Sequence, residues 1–82
     1  MPLYMDVHRK IEGLNPETAA QAHKRDLEVQ DKYGVNYMHY WFSEKDGTVF
    51  CLSEAPNAEA AAAVHKEAHG MLPDEIHEVK SD

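Results

Sequence analysis

The chain has 82 residues, of which 15 are acidic and 8 are basic, and its formal net charge is −7. A surface of this charge repels phosphate backbones, and the basic residues form no run longer than Arg9-Lys10 or Lys24-Arg25, so nucleic acid is excluded as an expected partner. No segment approaches the roughly 18 apolar residues of a membrane span, the first residues do not resemble a secretion signal, and a single cysteine, Cys51, fits a reducing compartment. We therefore expect a soluble cytoplasmic protein with one domain over residues 1–82.

The first half of the chain predicts a strand followed by a helix. Residues 3–9 alternate apolar and polar side chains, which is typical of a strand with two different faces. Asn15 and Pro16 form a helix start, and Gly34 suits a left-handed helix end. The predicted helix covers residues 16–33.

The second half predicts a β-hairpin, a second helix and a closing strand. The segments "VNYMHYWF" and "TVFCLSE" are rich in β-branched and aromatic residues, and "EKDG" between them is typical of a turn. The alanine-rich stretch that ends at Gly70 predicts a helix over 57–69, and "DEIHEVK" is short enough for a strand.

The resulting order, βαββαβ, indicates an α+β ferredoxin-like fold with sheet order 4-1-3-2 and both helices on one face. A chain this short leaves much apolar area uncovered, and the second face of the sheet has no cover of its own. By analogy with this fold class we expect a homodimer in which two sheets pack into a barrel-like assembly.

The faces of the strands depend on the hairpin register. A loop of three residues, 45–47, pairs Phe42 with Phe50 and Tyr40 with Leu52, whereas a loop of two residues pairs Trp41 with Leu52. We prefer the first register because it separates apolar from polar side chains. With Leu3, Met5 and Val7 directed toward the helices, the residues expected on the open face are Tyr4, Asp6, His8, Tyr37, His39, Trp41, Cys51, Ser53 and His77.

Six histidines raise the possibility of a metal site. His65 and His69 are four residues apart on the second helix, along the edge of a core stripe, and such a pair can chelate one divalent ion. Histidines near a helix C-terminus are also favoured by the helix dipole alone. His8, His69 and His77 are expected near one edge of the sheet, where Asp6 or Glu75 can complete a coordination shell.

The candidate metal ligands are therefore His8, His39, His65, His69 and His77. Imidazole and carboxylate suit nickel, zinc or copper, and these donors do not select among the three ions. His23 lies on the inner side of the first helix near Ala19, Ala20 and Leu27, where a core histidine with a hydrogen-bond partner is the simpler interpretation.

Several segments together resemble a family of small bacterial nickel-binding, nickel-responsive proteins. They are "YMDVH", "GVNYMHYW" and, most specifically, "CLSEAPNAEAAAAVHKEAHG" with "DEIHEV", and the likeness covers nearly the whole chain. The family was long described only as a domain of unknown function. The resemblance implies a ferredoxin-like sandwich, a homodimer and bound nickel, and the identity of the metal comes from the resemblance alone.

Three functions are weighed. The leading hypothesis is a protein that binds nickel through histidines and acts in metal sequestration or homeostasis rather than in catalysis. The alternative is a small dimeric barrel enzyme of the cofactor-free monooxygenase or isomerase type, with a pocket on the open sheet face. The third is an interaction module without metal, in which the histidines are structural.

Overall fold

The computed structural model describes residues 1–81, so Asp82, the last residue of the expected domain, lies outside the described residues. The elements, in chain order, are strand β1 (Leu3–His8), helix α1 (Pro16–Val29), a 3₁₀ turn (Gln30–Tyr33), strand β2 (Asn36–Ser43), strand β3 (Thr48–Glu54), helix α2 (Ala58–Ala68) and strand β4 (Glu75–Val79). The predicted βαββαβ order is confirmed. The described residues include no helix with the length and apolar character needed to cross a membrane.

The four strands form one antiparallel sheet in the order β2-β3-β1-β4, which is the predicted order read from its other edge. Both helices pack against each other and against one side of the sheet. We call this side the helix face and the other side the open face. The ferredoxin-like architecture is confirmed.

The helix ends follow the capping signals in the sequence. The Asn15 side chain accepts a hydrogen bond from the backbone N–H of Thr18, and the Thr18 hydroxyl accepts one from the backbone N–H of Asn15. The predicted helix over 16–33 is α-helical to Val29 and 3₁₀ beyond it, and it ends at Gly34 with φ of 68°. Asn57 caps α2 in the same way as Asn15 caps α1.

The predicted orientation of β1 is wrong. Asp6 and His8 point to the helix face, where both are buried, while Met5 and Val7 lie on the open face. Alternation shows only that the two faces of a strand differ. Here the polar set points inward because α2 supplies hydrogen-bond partners for it, and a buried polar group is tolerated when it is paired.

The predicted hairpin register is wrong by one residue. Ser43 pairs with Thr48, so the loop is 44–47 and contains four residues. Gly47 has φ of 63°, its carbonyl accepts a hydrogen bond from the backbone N–H of Ile11, and a Cβ at this position would lie 3.2 Å from the Ile11 carbonyl oxygen. The turn is therefore set partly by a distant loop, which the hairpin sequence alone does not reveal.

Because side chains alternate along a strand, the one-residue shift moves every side chain of β3 to the face opposite the predicted one. Cys51 and Ser53, expected on the open face, are buried on the helix face, and Phe50 and Leu52, expected in the core, lie on the open face. The register of β2 shifts between Tyr37 and His39, so Tyr37 also points inward although His39 and Trp41 lie outward as predicted.

The main apolar core lies under α2, and its buried members are Val35, Tyr37, Cys51, Ala55, Ala61 and Val64. Ile76 of β4 packs against it, as predicted. On α2 the predicted stripe of Ala61, Val64 and Ala68 is buried, but Met71 is exposed. His65, expected along the edge of that stripe, is instead the largest fully buried side chain.

Candidate metal centre

Five titratable side chains from three elements meet between the sheet and the helices. We call this group the buried cluster, and it consists of Asp6, His8, Asp26, His65 and His69. Its members come from β1, α1 and α2, with His69 as the residue that caps the C-terminus of α2. The cluster occupies positions where a ferredoxin-like sandwich of this size would otherwise place apolar side chains.

His65 lies between two carboxylates. Its Nε2 donates to Asp6 Oδ2 at 3.0 Å, and its Nδ1 donates to Asp26 Oδ1 at 2.9 Å. Burial by itself lowers the pKa of this imidazole, but the hydrogen bonds to Asp26 and Asp6 outweigh burial and raise the pKa to about 11. In this state His65 is an imidazolium that carries a proton on each nitrogen.

Asp6 accepts hydrogen bonds from three side chains. Oδ2 accepts from the Tyr37 hydroxyl at 2.9 Å as well as from His65, and Oδ1 accepts from His8 Nε2 at 3.1 Å. Burial raises the pKa of the Asp6 carboxyl, yet the hydrogen bonds from His65 and His8 hold it well below its usual range. The same balance lowers the pKa of Asp26, through hydrogen bonds from His65 and His69. Both carboxylates are therefore charged in the interior.

One face of the buried cluster has the spacing of metal ligands. Asp26 Oδ1, His65 Nδ1 and His69 Nε2 form a triangle with edges of 2.9, 3.2 and 3.2 Å. When one metal ion binds two ligand atoms at about 2.1 Å and at a right angle, the two ligand atoms are about 3.0 Å from each other. Two imidazoles and one carboxylate also form the facial ligand set that several transition metals use. We call Asp26, His65 and His69 the donor triangle.

A second group of potential donors shares His65. Its other members are Asp6, His8 and Cys51. Each of the four residues offers one ligand atom, these atoms all lie within 4.8 Å of one another, and all four residues are buried. Burial raises the pKa of the Cys51 thiol to about 11, so the thiol is protonated at neutral pH. Asp6 already accepts three hydrogen bonds, whereas His69 in the donor triangle has a partly exposed side chain. The donor triangle is therefore the more accessible of the two groups.

A cavity of about 220 Å³ reaches the donor triangle from the side of α1. Its polar end consists of the donor triangle with His8, His23 and Cys51. Its remaining walls are mostly apolar, with Glu12 and Thr18 as polar members, and their apolar and aromatic residues include Ile11, Leu14, Ala22, Tyr40, Val49 and Met71. The cavity gives the otherwise buried cluster a route to the outside, which a metal site requires.

The structure brings together three of the five histidines predicted as ligands. His8, His65 and His69 are neighbours, with the ring centroid of His8 lying 4.7 Å from that of His65 and 6.4 Å from that of His69. His39 and His77 lie on the open face, where His39 packs beside Trp41 and His77 pairs across the strands with Met5. The expectation that His77 lies near His8 is wrong, because the two side chains point to opposite faces of the sheet.

The carboxylates were only partly anticipated. Asp6 was named as a partner of the histidines, but Glu75 is on β4 and bonds to Arg9 and His77 instead. Asp26 was missed entirely. Its signal in the sequence is its position seven residues after Ala19 and three after His23, which places it on the inner stripe of α1.

Comparison with known proteins agrees with the fold. A family model described as nickel responsive protein SCO4226-like matches residues 4–79. The crystal structure of SCO4226 from Streptomyces coelicolor A3(2) superposes with a TM-score of 0.91, at 42% sequence identity and with 98% of each chain covered. No curated protein matches the chain significantly.

Proposed function

The chain belongs to the SCO4226-like family of nickel responsive proteins, and we propose that it binds a nickel ion through the donor triangle of Asp26, His65 and His69. The observation that carries this proposal is the spacing of the three donor atoms, 2.9 to 3.2 Å. Nickel is the ion named by the family. The donor atoms alone do not select nickel, because imidazole and carboxylate also bind zinc and copper.

Asp6 supports the ion site without belonging to it. A metal-binding histidine usually donates its second N–H to a carboxylate, which fixes the tautomer and the orientation of the ring. His65 Nε2 donates to Asp6 in this way, and Asp6 is itself held by His8 and by the Tyr37 hydroxyl. His8 therefore contributes to the orientation of His65, and its place on the helix face explains its proximity to the site.

Binding of an ion at the donor triangle would require that His65, an imidazolium in the folded chain, release its Nδ1 proton to solvent, and that the proton on His69 Nε2 move. His65 Nδ1 donates to Asp26, and His69 Nδ1 accepts a hydrogen bond from the Met71 backbone N–H, so the His69 proton is on Nε2. Ligation through Nε2 requires that His69 move this proton to Nδ1 and give up the contact with Met71. Met71 is 40% exposed.

The biological role that we propose is sequestration or homeostasis of the metal in the cytoplasm, by a homodimer. The open face supports the dimer, because it carries Met5, Val7 and Leu52 beside the exposed side chains of Trp41 and Phe50. A contiguous apolar sheet face of this kind is typical of an interface. His39 and His77 lie on that face and are not included in the ion site.

The alternative enzymatic function has less support. It placed a pocket on the open face, lined by Tyr37, Trp41, His39 and Asp6, and two of these residues point to the helix face instead. The cavity that reaches the donor triangle is on the helix side. An interaction module without metal accounts for the same spacing through the hydrogen bonds and ion pairs of His65 and His69 with Asp26, so nickel titration is what separates it from the metal site.

Titration calorimetry with nickel at neutral pH, with zinc as competitor, tests the proposed function. We expect saturable binding by the wild-type protein and a loss of at least about tenfold in affinity for both Asp26→Asn and His69→Gln. His77→Gln is the matched control, because it removes an exposed imidazole from the other face and is expected to change nothing. Nickel binding that persists in Asp26→Asn and is lost in His77→Gln would overturn the assignment.

A further inference from the structure

The inner stripe of α1 is made of small and polar side chains. Ala19, Ala22, His23 and Asp26 follow the three-and-four spacing of a buried helix face. Of the two large apolar residues of the same helix, Val29 packs against the core under α2, and Leu27 is 43% exposed although the sequence predicts it on the inner side. A helix that faces a sheet with two alanines and two polar residues cannot fill the space between them.

The unfilled space is the cavity next to the buried cluster. Its volume, about 220 Å³, exceeds the roughly 150 Å³ of an apolar cavity that holds benzene. Leucine at Ala22 would close much of the space, so the choice of alanine keeps it open.

The two ends of the cavity differ in chemistry. Ile11, Leu14 and Val49 belong to its apolar walls, whereas the polar end contains imidazoles. Two of these imidazoles, His8 and His23, have a buried Nδ1 atom without a hydrogen-bond partner among residues 1–81. The His8 Nε2–H donates to Asp6, so in the neutral imidazole Nδ1 is an acceptor that calls for a donor.

The charge of the polar end selects against anions. Two carboxylates, Glu12 and Asp26, line the cavity. A further anion in the same low-dielectric region is therefore repelled, whereas an uncharged molecule is not. Burial also lowers the pKa of His23, which keeps that imidazole neutral and available as a hydrogen-bonding group.

We propose that this cavity is a binding site for a small uncharged organic molecule of the phenol or alcohol class. The apolar walls contact the body of the molecule, and its hydroxyl donates to an imidazole at the polar end. Ala22, Tyr40 and Val49 form walls outside the donor triangle, although Asp26, His65 and His69 also line the cavity. Binding of such a molecule is therefore a function beyond nickel binding, and it needs no metal.

The test uses protein freed of metal by a chelator, with phenol as the probe. Binding is followed by ligand-detected NMR, and toluene and benzoate are compared with phenol at equal concentration. We expect saturable phenol binding, about twofold to tenfold weaker binding of toluene because one hydrogen bond is lost, and no binding of benzoate. Because no metal is present, failure of this test is separate from failure of nickel binding.

Substitutions on α1 locate the probe. Ala22→Leu fills the cavity and is expected to abolish phenol binding, while Ala20→Leu, at an exposed position of the same helix, is expected to leave it unchanged. Nuclear Overhauser contacts between phenol and the Ala22 methyl group in the wild-type protein give the same answer without a substitution. Absence of saturable binding, equal binding of toluene, or contacts only outside the cavity would overturn the proposal.

Discussion

His65 Nδ1 donates to Asp26 Oδ1 at 2.9 Å, across the contact between the two helices, and the two residues are 39 positions apart in the chain. Both side chains are almost completely buried. A buried charge is tolerated only with a partner, and removal of one member of such a pair leaves the other uncompensated. The pair therefore makes the stability of the fold depend on the ionisation of His65.

Stability should fall on the alkaline side of neutral pH. The pKa of His65 is about 11 in the folded chain and about 6.5 in an unfolded one. Between these values the folded chain binds a proton that the unfolded chain has released, so its free energy of unfolding decreases as pH rises, by up to about 1.4 kcal/mol per pH unit. Below pH of about 6.5 the contribution of His65 is fully present.

Urea unfolding of the metal-free protein between pH 6.5 and 10 measures this slope. His65→Gln lacks the titrating imidazole and should show a much flatter dependence, whereas His77→Gln should retain the wild-type slope. An equal slope in the wild-type protein and in His65→Gln would show that other groups govern the alkaline loss.

Removal of the Tyr37 hydroxyl should destabilise the protein. This hydroxyl donates to the buried, charged Asp6 at 2.9 Å, and hydrogen bonds to charged groups contribute about 1.5 to 3 kcal/mol. We expect Tyr37→Phe to lower the free energy of unfolding by an amount in that range, measured by urea denaturation at pH 7. The matched control is Tyr33→Phe, whose hydroxyl donates at 2.7 Å to Glu67 in an exposed setting. A loss in Tyr33→Phe as large as that in Tyr37→Phe would argue against a special role for Asp6.

The donor triangle should rank metal ions by the affinity of nitrogen ligands. Two imidazoles and one carboxylate favour copper over nickel and bind magnesium poorly. Competition titrations against a chromogenic chelator should therefore give tighter binding of Cu²⁺ than of Ni²⁺, and a large excess of Mg²⁺ should displace neither. Displacement of nickel by magnesium would indicate a site made mainly of oxygen donors, away from the histidines.

Association should depend on the open face and not on the other exposed apolar side chains. Phe50 is 36% exposed at the centre of that face, and Leu27 is 43% exposed on α1. We expect a dimer by light scattering for the wild-type protein, a monomer for Phe50→Glu and a dimer for Leu27→Glu. A monomeric wild-type protein, or dissociation by the Leu27 variant alone, would exclude the sheet-to-sheet dimer.

The order of elements was predictable because its signals are local. The capping residues Asn15 and Asn57 and the glycine at position 34 fix helix ends through contacts within a few residues. Alternation and the turn segment "EKDG" then give the strands. Once the order βαββαβ is known, few sheet topologies remain, and the one found is the common one.

The faces of the strands were not predictable because they depend on distant partners. Asp6 points inward because His65 and Tyr37 donate hydrogen bonds to its carboxylate on the helix face, and those residues are far away in the sequence. Tyr37 and His39 are two residues apart, so regular alternation places them on one face. The register shift between them reverses that relation, and nothing in the residue types marks it.

Of the candidate site, the histidine pair was predictable from the sequence and its carboxylate partner was not. The four-residue spacing of His65 and His69 identified the pair, because residues four apart share a helix face. Asp26, their carboxylate partner, is on another helix, and its inward direction becomes evident only when the two helices are packed.

The position of His65 between Asp6 and Asp26 also bears on how the molecule opens. These three residues belong to β1, α1 and α2. Separation of α2 leaves both buried carboxylates without the His65 imidazolium, and separation of β1 or α1 removes one of the two hydrogen-bond partners of His65. Partial opening is therefore costly, and the three elements should unfold as one cooperative unit rather than fray separately. In hydrogen-exchange experiments the amides of all three should share one high protection level, set by global unfolding.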